Sequence, residues 1–287
     1  MTRFQSWKQH TALAAQRSLF TVLGKLAPAI AGQWATRLFL ATRRGGRRAR
    51  TDVPLGATPL QVGDDGVYVW GNRGPIVVLV HGWGSDSGAM CSLVRPLRDR
   101  GFRVVAFDAP AHGANQGRQT TMTRFVARVS DVLDRFEPDA ELRAIVGHSL
   151  GGLASVAALG AVRRTPRRLV MISAPSSLSE ALRSFVGFWK LSPSTEAAIR
   201  GELMRSHGVP IEHWDVRTLA QRDRFPALGA LVVHDRKDVF VPIDEARVVA
   251  AALGHTVRVE VTEGLGHARI LADRQTTSLV ADFVAEA

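Results

Sequence analysis

The segment Leu142–Gly152 reads LRAIVGHSLGG, and it decides the fold. Its mostly apolar first half predicts a buried strand, and the residues Leu150–Arg163 predict a helix that follows directly. Ser149 therefore lies on a sharp turn between strand and helix. Side chains two positions before and after such a serine would collide, and here both positions are glycine, Gly147 and Gly151. The pattern predicts a serine held in a strained backbone conformation and presented as a nucleophile.

Around this turn, short apolar runs alternate with longer helical runs, which is typical of βαβ units and a largely parallel sheet. The predicted strands are Val67–Trp70, Ile76–His81, Arg103–Asp108, Leu142–Gly147, Arg168–Ser173, Ala230–His234 and Val257–Val261. The predicted helices are Ala89–Arg100, Thr121–Phe136, Leu150–Arg163, Ile243–Leu253 and Ile270–Ala285. We therefore expect an α/β fold whose ligand site lies at the carboxyl ends of the strands.

One interval interrupts the alternation of strands and helices. After Ser173-Ala174-Pro175, about fifty residues pass before the next strand, and they show helical patterns separated by prolines. We expect this interval, residues 176–226, to form a short helical cap above the strand ends. Its aromatic residues Phe185 and Trp189 are candidates for lining a substrate pocket.

A serine hydroxyl needs a base to remove its proton. His267 follows the strand Val257–Val261 and so lies at its carboxyl end, the same edge of the sheet as Ser149. His255 precedes that strand and is expected at the opposite edge. We therefore expect His267 to be the base.

The base in turn needs a carboxylate that fixes its tautomer. The strand Ala230–His234 is followed by Asp235-Arg236-Lys237-Asp238. Asp235 still lies at the strand end, whereas Asp238 lies in the loop, from which it can turn toward His267. We expect Asp238 to be the acid and keep Asp235 as the alternative.

The negative charge of a tetrahedral intermediate needs backbone N–H donors. Leu150 begins the helix after the serine, so its N–H is one candidate, assisted by the helix dipole. The second candidate is the N–H of Trp83, because glycines on both sides let the loop His81–Ser85 come close to the substrate. The indole of Trp83 would then lie at the mouth of the pocket.

Taken together, these motifs resemble the α/β-hydrolase superfamily, and in particular its serine esterases and lipases. The resemblance covers residues 66–287 and rests on His81-Gly82-Trp83-Gly84, Asp108-Ala109-Pro110-Ala111-His112-Gly113, Gly147–Gly152, Asp238 and His267. It implies an α/β-hydrolase fold, with Ser149 as nucleophile, Asp238 as acid and His267 as base. It also implies an oxyanion hole formed by Trp83 and Leu150. Many relatives have an arginine within the second motif, where this chain has Ala111-His112.

The predicted reaction is cleavage of a carboxylic ester through an acyl-enzyme on Ser149. A thioesterase or an aminopeptidase-like hydrolase with the same triad remains an alternative, and so does a non-catalytic binding protein of this fold. We expect a small-molecule ester or acyl substrate, no metal and no cofactor. The candidates for lining the substrate pocket are Trp83, His148, Phe185, Trp189 and Phe240.

The net charge of +11 is concentrated at the N-terminus. Residues 1–50 contain ten Lys or Arg and no Asp or Glu, so the remaining residues carry about +1. This distribution argues against a nucleic-acid partner for the catalytic domain. We expect residues 1–52 to form a basic helical arm of two short amphipathic helices that meet near Pro28, and residues 53–287 to form the hydrolase domain.

The basic arm has several interpretations. It packs on the domain or on a second subunit, it contacts an anionic membrane surface with help from the cluster Arg43–Arg50, or it contacts nucleic acid. Its apolar stretch is interrupted too often for a spanning helix or a signal peptide. A single cysteine, Cys91, excludes an internal disulfide. We expect a cytoplasmic protein, with peripheral membrane contact as the open alternative.

Overall fold

A computed structural model describes residues 3–42, 52–62, 65–136, 139–221, 228–254 and 257–286. The arginine cluster Arg43–Arg50 and His255 lie outside the described residues. Within them, no helix is both long enough and apolar enough to cross a membrane.

The described residues form one eight-stranded sheet. Its strands are β1 Thr58–Val62, β2 Asp65–Trp70, β3 Ile76–Val80, β4 Arg103–Phe107, β5 Leu142–His148, β6 Arg168–Ile172, β7 Gly229–Asp235 and β8 Val257–Thr262. Their order in the sheet is β1-β2-β4-β3-β5-β6-β7-β8. The pairs β1–β2 and β2–β4 are antiparallel, and the other neighbours are parallel. The predicted fold class is confirmed, and β1 is the one described strand that the sequence patterns missed.

Helices flank this sheet. They are α1 Arg3–Leu26, α2 Pro28–Phe39, α3 Val94–Asp99, α4 Met122–Arg135, α5 Leu150–Leu159, α6 Leu178–Trp189, α7 Pro193–His207, α8 Val216–Leu219, α9 Asp244–Leu253, α10 Gly266–Arg269 and α11 Arg274–Ala285. Side-chain caps explain several starting points: Ser177 accepts from the N–H of Glu180, and Asp273 accepts from the N–H of Thr276.

Three predicted helices differ from the observed ones. The region predicted as Ala89–Arg100 begins as a 3-10 helix, Ser87–Leu93, and only α3 is α-helical. Pro96 explains this, because proline cannot donate the hydrogen bond that a longer α-helix would need at that position. The helix predicted to reach Arg163 ends at Leu159 before Gly160. The last predicted helix, Ile270–Ala285, begins only at Arg274, after its cap Asp273, and the short helix α10 precedes it.

The central strand β3 is buried on both faces. Ile76, Val78 and Val80 belong to the apolar core on one face, whereas Val77 and Leu79 belong to the core on the other. A strand covered on both sides has no need of polar residues, which explains why its sequence is uniformly apolar. This burial fixes the strand ends from which the functional loops extend.

The N-terminal helices pack against the helices that lie between β6 and β7. Phe20 contacts Trp189 edge-on at 5.7 Å between ring centroids, and Phe39 contacts Phe185 at 5.2 Å. Pro28 is the first residue of α2, as its fixed φ angle favours, but α1 is far longer than the short helix expected. The domain boundary at residue 52 and the cap limits at 176–226 stay predictions.

Candidate active site

Ser149 lies on the turn between β5 and α5 with a strained backbone, φ 53° and ψ −131°. A Cβ at Gly147 would lie 2.5 Å from the Cα of Gly152, and one at Gly151 would overlap the carbonyl oxygen of His81. Neither position therefore accepts a side chain. The strain costs on the order of 1–3 kcal/mol, and the surrounding packing holds it in place.

The side chains of Ser149, His267 and Asp238 form a continuous hydrogen-bonded chain. His267 Nε2 lies 3.1 Å from Ser149 Oγ, and His267 Nδ1 lies 2.7 Å from Asp238 Oδ2. The three residues come from the segments that follow β5, β7 and β8, whose carboxyl ends meet at one edge of the sheet. This arrangement can pass a proton from the serine hydroxyl to the imidazole.

Asp238 stays ionised at neutral pH, although its side chain is fully buried. Burial alone would raise the pKa of this carboxyl, but the hydrogen bond and charge of His267 and the N–H groups of Val241 and Phe240 outweigh it. The net result is a pKa below the usual value. A carboxylate here accepts from the Nδ1–H of His267, so Nε2 is left to accept the serine proton.

Asp235, the alternative acid, has a different position. Its carboxylate accepts from the hydroxyl of Thr262 at 2.7 Å and from the N–H of Leu265 at 2.9 Å. Thr262 is the last residue of β8, and Leu265 lies in the segment that leads from β8 to His267. Asp235 therefore holds the base-bearing loop rather than the base itself.

The loop after β3 approaches the serine closely. A Cβ at Gly82 would lie 3.0 Å from Ser149 Cβ, so only glycine fits this position without displacing its neighbours. The next loop residue, Trp83, donates its indole N–H to the carbonyl of Ala41 at 3.1 Å. The N–H of Gly84 donates to Nε2 of the buried His112 at 3.0 Å, which fixes the loop from its other side.

Leu150 is the first residue of α5, and the first N–H groups of a helix have no acceptor within the helix. The backbone of Leu150 follows the serine directly, and Trp83 lies on the loop that Gly82 brings against it. Both candidate donors thus lie on backbone that flanks Ser149.

His148 has a role that the sequence patterns did not predict. Its side chain is only 5% exposed, and its ring centroid lies 4.8 Å from that of His267. Its assignment as a pocket candidate stays a prediction. Burial, followed by the charge of His267, lowers the pKa of His148 to about 3, so the ring is neutral. Its Nε2–H donates to the backbone carbonyl of His267 at 2.9 Å. The ring thereby tethers the backbone of the base.

The other pocket candidates divide into two groups. Phe240 is 61% exposed, and its ring centroid lies 5.5 Å from that of His267, so it borders the site. Phe185 and Trp189 instead pack against the N-terminal helices. In the described part of the chain, no group of three or more His, Cys, Asp or Glu side chains could hold a metal ion.

Comparison with known proteins agrees with this geometry. Residues 77–280 match the model of the alpha/beta hydrolase family. The chain is 30% identical over 243 residues to a pimeloyl-acyl-carrier-protein methyl ester esterase of Chromobacterium violaceum, a match covering 71% of this chain and 91% of that protein.

Two solved structures share the fold. An esterase of Pyrococcus furiosus has a TM-score of 0.58 at 20% identity, and the match covers 79% of this chain and 90% of that chain. The mouse alpha/beta hydrolase domain-containing protein 10 has a TM-score of 0.60 at 18% identity, with 79% and 96% covered. The chain belongs to the alpha/beta hydrolase family.

Proposed function

We propose that this protein is a serine esterase that cleaves carboxylic esters through an acyl-enzyme on Ser149. The observation that carries the proposal is the hydrogen-bonded chain from Ser149 Oγ through His267 to Asp238. The named activity of the Chromobacterium relative, a methyl ester esterase, supports an ester of a simple alcohol as substrate.

In the first half of the reaction, His267 Nε2 takes the hydroxyl proton while Ser149 Oγ attacks the ester carbonyl carbon. The carbonyl oxygen gains the negative charge and is stabilised by the N–H groups of Trp83 and Leu150. The intermediate collapses, the carbon–alkoxy bond breaks, and His267 returns the proton to the leaving alcohol.

In the second half, water replaces the alcohol. His267 Nε2 takes a proton from the water as its oxygen attacks the acyl carbon. Collapse of the second intermediate breaks the bond to Ser149 Oγ, which recovers a proton from His267, and the carboxylic acid leaves. Asp238 stabilises the imidazolium in both halves and keeps its own charge throughout.

The test is labelling with a fluorophosphonate, followed by peptide mapping and by hydrolysis of a nitrophenyl acetate. Ser149→Ala should lose both the label and turnover. Ser155→Ala is the matched control, because this serine lies on the helix that follows Ser149 and its hydroxyl donates to the carbonyl of Gly151. Label on another residue, or undiminished turnover in Ser149→Ala, would contradict the proposal.

We also propose that α1 holds the enzyme at an anionic membrane surface. Leu19, Val22 and Leu26 lie on one side of this helix and are 48%, 53% and 79% exposed. The N-terminal fifty residues carry ten cationic and no acidic side chains, so charge favours an anionic bilayer over a second equally basic arm.

Co-sedimentation with phosphatidylglycerol vesicles tests this membrane proposal. Val22→Glu with Leu26→Glu should abolish binding, whereas Leu55→Glu, on a side chain 94% exposed outside the arm, should bind like the parent. Equal sedimentation of all three proteins would refute membrane contact. A concentration-dependent dimer that only the double variant disrupts, without vesicle binding, would assign the surface to self-association instead.

A further inference from the structure

We infer that a cavity between the N-terminal helices and α6 is a binding site for a monomeric fatty carboxylate. The cavity has a volume of about 510 Å³ and is lined by residues of α1 and α2, by Ala41 just after α2, and by Trp189 of α6. This volume is within the range of about 300–1,000 Å³ that is typical of small-molecule sites. Its lining includes none of Ser149, Asp238 and His267, so it is separate from the proposed catalytic site.

Most of the cavity wall is apolar. Phe20 and Trp189 meet edge-on and form one side of the lining, and Leu19 and Trp34 line it as well. Leu19 and Trp34 are each about half exposed, 48% and 49%, so the cavity opens to solvent between them. Removing large apolar side chains from water is favourable, so an apolar ligand that displaces water from this open cavity binds favourably. This wall favours an alkyl chain.

The polar groups of the cavity favour an anionic head. Arg37 and Gln16 also line it, and both are exposed. No carboxylate is paired with Arg37 in the part of the chain that the structure describes, and the first fifty residues contain no acidic side chain. A guanidinium matches a carboxylate with two parallel hydrogen bonds. An alkyl chain with a carboxylate at one end satisfies both parts of the lining.

The cavity also borders the loop after β3. Ala41 lines the cavity, and its carbonyl accepts the indole N–H of Trp83. Ala41 would thus separate a bound fatty carboxylate from the Trp83 loop that flanks Ser149. Ester hydrolysis releases a carboxylate of this chemical class, although the inferred site does not depend on the proposed activity.

Titration calorimetry with decanoate, at concentrations where it is monomeric, tests the inference. The full chain carrying Ser149→Ala is used, so that no turnover contributes heat. Leu19→Trp should fill the cavity and weaken binding at least tenfold, and Arg37→Gln should weaken it about tenfold by removing the cation. Ile30→Trp and Lys25→Gln are the matched controls, because both residues are exposed on the same helices without lining the cavity.

Selective loss in the two cavity variants, with both controls binding like the parent, supports the site. The inference is overturned if decanoate does not bind, or if it binds equally to all variants. It is also overturned if the protein binds fatty acid only when the fatty acid is part of a vesicle. Failure of the esterase proposal is seen separately, as lack of nitrophenyl acetate turnover by the unmodified chain, and it leaves the calorimetric result unaffected.

Discussion

His148 and His267 are joined by a hydrogen bond from the Nε2–H of the first to the backbone carbonyl of the second, with 2.9 Å between the atoms. Asp238 fixes the imidazole of His267 through Nδ1, and His148 fixes the backbone that carries this imidazole. The residue beside the nucleophile therefore positions the base, although 119 residues separate the two histidines in sequence.

The first prediction concerns this tether. His148→Phe keeps an aromatic ring but removes the donor, so the carbonyl of His267 loses this partner. If removing a hydrogen bond worth about 1 kcal/mol raises the activation free energy by that amount, kcat should fall roughly fivefold to tenfold with little change in KM. Steady-state kinetics on a nitrophenyl ester measure the effect.

His148→Gln is the control, because its amide N–H can replace the lost donor. It should recover most of kcat, whereas a purely structural role would lower the Tm of both variants and spare kcat per folded molecule. Equal kcat in the Phe and Gln variants would show that the hydrogen bond does not position the base.

The second prediction separates the two aspartates. Asp238→Asn removes the charge that stabilises the imidazolium and should lower kcat by about 10³-fold to 10⁴-fold. Asp235→Asn leaves that charge in place and disturbs only the loop, so its kcat should fall far less. A larger loss of kcat in Asp235→Asn than in Asp238→Asn would favour Asp235 as the acid and would contradict the pairing of His267 Nδ1 with Asp238.

The third prediction concerns stability in acid. Burial would raise the pKa of Asp235, but the N–H groups of Gly266 and Leu265 and the hydroxyl of Thr262 outweigh it and lower the pKa to about 2. A carboxylate with a lowered pKa stabilises the folded state above its unfolded pKa of about 3.9, and this contribution is lost as the pH falls toward 2.

Asp235→Asn should therefore lower the free energy of unfolding by about 2 kcal/mol at pH 7. The difference from the parent should shrink between pH 4 and pH 3, as measured by urea unfolding. Asp244→Asn, on a side chain 75% exposed, should show no comparable difference at either pH. If the free energy of unfolding of Asp235→Asn is lower than that of the parent by the same amount at every pH, the variant has lost packing rather than a charge.

Much of the fold follows from local pattern. Uniformly apolar runs such as Ile76–Val80 gave strand positions accurate to a residue or two, because burial on both faces leaves no other arrangement for them. β1 has no such signal: Thr58–Val62 contains a proline and lies at the sheet edge, and residues such as Leu60 remain exposed. Its pairing with β2 depends on the neighbouring strand rather than on its own sequence.

The candidate site likewise has a part that the sequence predicts and a part that it does not. The meeting of Ser149, Asp238 and His267 could be expected, because each follows a strand and parallel strands end at one edge. The contact of His148 with a distant carbonyl and the packing of Phe185 against Phe39 could not. Both depend on how loops and helices fold over the strand ends, and neither has a periodicity that a single sequence reveals.

The last prediction concerns the contact between the N-terminal helices and the region between β6 and β7. A Cβ at Gly32 of α2 would overlap the Cβ of Ala198 on α7 and lie 3.2 Å from its backbone carbonyl carbon. Gly32→Ala should force the two helices apart and destabilise the protein by about 1–3 kcal/mol, because overpacking a closed contact displaces backbone.

Gly201→Ala on α7 is the matched control. Among the described residues, and apart from the backbone of its own helix, the nearest atom to a Cβ there is the guanidinium Nη1 of Arg205 at 3.8 Å. There the same substitution should stabilise the protein by about 0.5–1 kcal/mol, because alanine favours a helix over glycine. Thermal unfolding should therefore move in opposite directions for the two variants. A Tm for Gly32→Ala at or above that of the parent would mean that α2 does not pack closely on α7.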